Sequence, residues 1–86
     1  MKLRERVAWN LRALRTAQKV TQESLAVDAG VDRTTVSGLE RGDFNASLDL
    51  LEKIAVALNV EAIRLLDTPP SDAPKLQNLR PGRKPD

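Results

Sequence analysis

The chain has 86 residues, no cysteine and no histidine, and it carries 14 Lys/Arg against 12 Asp/Glu. That is room for one small domain, and it excludes disulfides, thiolate metal sites and any catalysis built on a Ser-His or Cys-His pair. Trp9 and Phe44 are the only aromatic residues, too few to stack single-stranded nucleic acid, and no apolar run approaches the ~20 residues of a membrane helix.

The opening Met1–Arg6 is a mixed charged stretch, not an apolar signal segment, so the expectation is a soluble cytoplasmic protein. The charge is uneven. Residues 1–20 hold six Lys/Arg and one Glu, residues 21–68 four and nine, and residues 69–86 four and two. A basic tract suits an anionic partner; it is equally the pattern of a solvated helix face.

Leu3, Val7, Leu11 and Leu14 repeat at helical spacing and make one apolar stripe along a first helix. Thr21 precedes Gln22-Glu23-Ser24-Leu25-Ala26, and its hydroxyl suits the first free amides of a second helix. That helix should stop near Ala29, because Gly30 fits the turn that follows. Asp32 is placed to cap a third helix from Arg33 to about Glu40, ended by Gly42. Ser47 is placed to cap a fourth, with the stripe Leu48, Leu51, Ile54, Ala55 and Leu58 and Asn59 as a left-handed stop. Ala62, Ile63, Leu65 and Leu66 suggest a short fifth helix. All five prolines lie at or beyond Pro69. The expected organisation is therefore a compact five-helix, all-α domain over residues 1–68 and a Pro-rich, basic, flexible tail over 69–86.

The segment Gln22–Leu39, QESLAVDAGVDRTTVSGL, meets the demands of two helices crossing at a tight turn. Ala26 is small where the second helix passes over it, Gly30 permits a positive φ, and Leu25, Val36 and Leu39 point inward. Arg33 and Thr34 then stand outward at the start of the second helix of the pair. This pattern closely resembles the helix-turn-helix of the lambda-repressor and Cro family, also called the XRE family. Asn10–Arg15 resembles that family's first helix, Thr21–Ala26 its second-helix opening, Leu39-Glu40-Arg41-Gly42 its recognition-helix ending, and Ser47–Leu58 its fourth helix. Within the family, the run Asp32–Gly38 with Arg41 and Asn45 is most similar to restriction–modification controller proteins and small phage-type repressors. Thr35 departs from the aromatic, and Phe44 from the arginine, that such controller proteins place there. Lys19 stands where the family usually has glycine, which requires a left-handed lysine at a cost of about 1 kcal/mol.

The resemblance implies a sequence-specific regulator of transcription that binds a palindromic double-stranded DNA operator as a homodimer, with residues 33–40 in the major groove. Base contacts fall to Arg33, Thr34 and Ser37, with the arginine fork suited to guanine O6 and N7. Phosphate contacts fall to Thr21, Gln22, Thr35, Arg41 and Asn45, the helix dipole at Gln22 assisting. Gly38 reads nothing itself and lets the helix approach DNA closely. The bland alternatives are a solvated Gln22, a phosphate-only or solvated Arg33, and an Asn45 that merely forms a turn. Arg15 and Glu40 are expected to form a structural ion pair, and Leu50, Ile63 and Leu65 the dimer surface. Trp9 and Val56 lie off their stripes and are further candidates for a partner surface. Asp28, Asp32, Glu40, Asp43 and Asp49 match no calcium loop, so no metal, cofactor or small-molecule ligand is expected. The alternative function is a protein-interaction module on the same fold, of the antitoxin type.

Overall fold

The chain changes direction wherever one residue leaves the right-handed region. Lys19 (φ 59°), Gly30 (φ 72°), Gly42 (φ 75°) and Asn59 (φ 59°) each sit just past the end of a helix. The computed structural model describes residues 1–70. Between those four stops lie α1 (Leu3–Ala17), α2 (Gln22–Ala29), α3 (Arg33–Arg41) and α4 (Leu48–Leu58), followed by a 3-10 helix, Ala62–Leu66. Among the described residues there is no β-strand.

The helix starts follow from local chemistry. Thr21 Oγ1 accepts the Ser24 amide at 3.0 Å, and Ser47 Oγ accepts the Leu50 amide at 3.0 Å. Each removes one of the unpaired donors of a first turn. Asp32 takes the extended cap conformation ahead of α3, but its side chain makes no cap bond. Only its carbonyl is used, by the amides of Thr35 (3.0 Å) and Val36 (3.4 Å). The expected side-chain cap is thus absent, and the exposed Asp32 carboxylate is left to water.

One core joins all five elements: Val7, Leu11, Leu25, Ala26, Val36, Leu39, Leu51, Ile54, Ala55, Leu58 and Leu65. Ala26 is 3% exposed, as a residue crossed by α3 must be. Of the expected stripes, Leu14 packs against it half-buried, and two members lie outside it altogether. Leu3 is 62% and Leu48 81% exposed. Each begins its helix and so projects past the end of the packed layer. Together with Phe44 and Leu66 they line a shallow apolar groove.

The last element differs from the expected fifth α-helix. Its five residues close through an i→i+3 bond, Arg64 N–H to Glu61 O at 2.9 Å, the tighter winding typical of such short pieces. Polar side chains of α1 hold it. Buried Asn10 donates through Nδ2 to the carbonyls of Leu65 (3.0 Å) and Asp67 (2.8 Å). Likewise Gln18 Nε2 donates to Leu58 O at 2.8 Å, satisfying a carbonyl at the end of α4. Leu65 is fully buried in this arrangement, which corrects its assignment to a dimer surface. A short 3-10 helix has one inward-facing apolar position, and burying that leucine is worth about 1.5–3 kcal/mol. Pro69 is also buried, so packing runs one residue past the expected boundary at 68. From residue 71 onward the expected tail lies outside the described residues.

Candidate nucleic-acid interface

α3 has two faces set by its 3.6-residue period. Val36, Leu39 and Glu40 are buried, while Arg33 and Thr34 are exposed at its first turn and Thr35 and Ser37 are half-buried. Arg33, Ser37 and Arg41 follow one another at intervals of four, so they form a single outward row. The helix therefore presents a cationic fork and hydroxyl groups on a rigid face locked to the core behind it.

Behind that row lies the pair expected from the sequence. Arg15 Nε donates to Glu40 Oε2 at 2.5 Å and Arg15 Nη2 to Glu40 Oε1 at 3.0 Å, a bidentate fork. The Arg15 side chain is 12% exposed and that of Glu40 is fully buried. Arg15 Nη1 also donates to Val20 O at 2.8 Å. A residue from the expected phosphate set joins the same network: Gln22 Nε2 donates to Glu40 Oε1 at 3.1 Å. This bond brings the first residue of α2 against the last turn of α3 and fixes its amide, leaving the carbonyl oxygen and the second N–H to other partners.

The other expected residues are placed as follows. Thr21 is exposed at the α2 start, its oxygen taken by the cap bond and its hydroxyl proton still available to donate. Arg41 is exposed, but its guanidinium is not extended. It donates from Nη1 to Ser37 Oγ at 2.9 Å and from Nε to Asp43 Oδ2 at 3.1 Å. Asn45 is exposed in the loop between α3 and α4. Gly38 packs under the loop that follows α3. It is buried, and a Cβ there would meet the Phe44 ring at 3.6 Å and Arg41 Nη2 at 3.7 Å. Both are ordinary contact distances, so the site has space for a methyl group.

A family profile described as helix-turn-helix matches residues 11–65. The chain belongs to the helix-turn-helix family of transcriptional regulators. A hypothetical transcription factor from Neisseria meningitidis serogroup B is 45% identical to this helix-turn-helix chain over 74 residues, covering 86% of it and 69% of the relative. The crystal structure of that Neisseria factor superposes with a TM-score of 0.76 at 44% identity, over 79% of this chain and 78% of the other. Control protein C.BamHI of Bacillus amyloliquefaciens is 48% identical over 48 residues, 56% of this chain and 59% of its own. The restriction–modification controller protein C.AhdI of Aeromonas hydrophila superposes with a TM-score of 0.70 at 44% identity, over 72% and 94% of the two chains. No helix among the described residues of this helix-turn-helix protein is long and apolar enough to cross a membrane.

Sequence reasoning missed polar contacts made by Asn10 and Asp43. Asn10 sits beside an apolar stripe and reads as an ordinary surface residue until its two carbonyl partners are known. Asp43 shows no partner in the sequence, and its bond to Arg41 follows from the reversal at left-handed Gly42. The signal for that contact is faint: an acid two residues after an arginine, across a glycine.

Proposed function

We propose that this DNA-binding regulator recognises a palindromic operator as a homodimer, each protomer laying α3 in the major groove. The observation that carries the reading is the outward face of α3, where Arg33 and Thr34 are exposed and Ser37 half-buried, backed by buried Val36, Leu39 and Glu40. Arg33 and Thr34 read base edges, and Ser37 does so with its free hydroxyl proton. Thr21, Gln22, Thr35, Arg41 and Asn45 fix the register through phosphates. The tie between Gln22 and Glu40 supports this division, since it aligns the start of α2 with the end of the recognition helix.

One short helix contacts too few base pairs for useful discrimination across a genome, and a two-fold pair doubles the site. The second half of the reading rests on Val56 (72% exposed) and Ile63 (64% exposed), which stand on α4 and the 3-10 helix around a common depression with Val60. Leu50, also on α4, is half-buried. Val56 takes the place that the buried Leu65 cannot fill.

The test is a mobility-shift titration on the gene's own upstream region and on an unrelated duplex, across a range of salt concentrations, with sedimentation of the wild type and Ile63→Asp. The expected result is selective binding that weakens steeply with salt, and a dimer that Ile63→Asp turns into a monomer of lower operator affinity. Equal binding to both duplexes, or a monomer that binds the operator without pairing, overturns the reading.

A further inference from the structure

Arg41 closes α3, and Asp43 is the first residue past the left-handed stop at Gly42. That reversal sends the Asp43 carboxylate back toward the helix it has just left. Arg41 Nε donates to Asp43 Oδ2 at 3.1 Å while Nη1 donates to Ser37 Oγ at 2.9 Å. The guanidinium is thereby folded over its own helix, with Nη2 3.7 Å from where a Gly38 side chain would begin.

A carboxylate oxygen and a phosphate oxygen ask the same thing of an arginine: an anionic acceptor in line with an N–H donor. We propose that Asp43 is an internal competitor for Arg41, occupying it in the free protein and limiting how tightly the regulator grips DNA phosphate. The inference rests on the reading of Arg41 as a phosphate contact and adds to it a residue that opposes binding. A phosphate arriving at Arg41 must displace Asp43 from Nε or sit beside its charge. Either way, the Arg41–Asp43 pair brings no net positive charge to the DNA, so the gain from released counterions is diminished.

The pair is solvent-accessible, with side chains 42% and 67% exposed, so the competition is mild and DNA can win it. Exposed pairs of this kind correspond to effects of about two- to fivefold in an equilibrium constant. Asp43 therefore sets the level of affinity without abolishing it, and it acts on all sequences alike, because phosphates carry no sequence information.

The experiment is a double-mutant cycle. Wild type, Asp43→Asn, Arg41→Ala and the double variant are titrated with a nonspecific duplex over a range of salt concentrations, and circular dichroism checks that each is folded. Asp43→Ser serves as an independent second variant. The expected result is that Asp43→Asn and Asp43→Ser each tighten binding about two- to fivefold and steepen the logarithmic salt slope by up to ~0.9 per protomer. In the Arg41→Ala background the same changes should have almost no effect. Equal tightening in both backgrounds would mean that only general charge is at work, and it would overturn the proposal, as would no tightening in either. If wild type and variants bind no duplex even at low salt, the DNA-binding reading fails and this inference falls with it. Wild-type binding with an inert Asp43 overturns this inference alone.

Discussion

Removing either partner of the Arg15–Glu40 pair should cost the domain much of its stability, and the two removals should not cost the same. Glu40 is fully buried and accepts three hydrogen bonds, two from Arg15 and one from Gln22. Arg15 is 12% exposed and makes a third bond to Val20 O. In Arg15→Met the carboxylate stays buried with Gln22 as its remaining partner, and Val20 O also loses a donor worth about 1 kcal/mol. In Glu40→Gln the arginine keeps Val20 O and some access to water. Stranding one member of a buried pair costs about 3–5 kcal/mol, so Arg15→Met should fall at the upper end and Glu40→Gln at the lower. A domain of this size has roughly 3–10 kcal/mol in all. Urea denaturation followed by circular dichroism measures the loss directly. In thermal scans, even the smaller loss lowers the midpoint by about 12 °C or more. The double variant should be less damaged than the sum of the singles by about 1–3 kcal/mol, because the second change removes the charge that the first had stranded. Two small, additive effects, or a Glu40→Gln worse than Arg15→Met, would refute the reasoning and return Arg15 to the DNA-binding candidates.

Arg33→Ala should relax preference at one operator position and cost about 1–3 kcal/mol per half-site; equal losses on cognate and mismatched duplexes would assign Arg33 to phosphate. Gly38→Ala should stabilise α3 by about 0.5–1 kcal/mol, because the new methyl meets Phe44 at the ordinary distance of 3.6 Å. A lower melting temperature would show that Phe44 cannot accommodate it. Lys19→Gly should raise stability by up to about 1 kcal/mol, since relief of the left-handed strain exceeds the added freedom of the unfolded chain. No gain in a denaturant titration would mean that the Lys19 side chain returns an equal stabilisation.

The helix boundaries were legible because they are local. Thr21, Ser47, Gly30, Gly42 and Asn59 act within four residues of themselves, and each acts where expected. The Arg15–Glu40 pair was accessible through family resemblance, 25 residues apart in the chain. What stayed hidden depends on tertiary partners. Ile63 and Leu65 look alike in the sequence, yet one is 64% exposed and the other fully buried in the shared core. Five residues cannot reveal whether they wind as α or 3-10, since the apolar spacing suits both. Leu3 and Leu48 fit their stripes but lie beyond the packed layer. Asp43 has no apparent role until Gly42 turns it toward Arg41.

The two amide bonds of Asn10 also bear on geometry at the scale of the operator. α1 packs against both α3 and the 3-10 helix, with Arg15 fastened to the first and Asn10 to the second. It is a crossbar between the reading edge and the proposed pairing edge. If the crossbar is rigid, the distance between two recognition helices is a fixed gauge, and a dimer accepts half-sites about one helical turn apart, ~34 Å, and no others. Asn10→Ala would leave each reading edge intact and turn the gauge into a loose hinge. Such a variant should tolerate operators with a base pair inserted or deleted at the centre, binding them nearly as well as the natural spacing. The wild type should reject them.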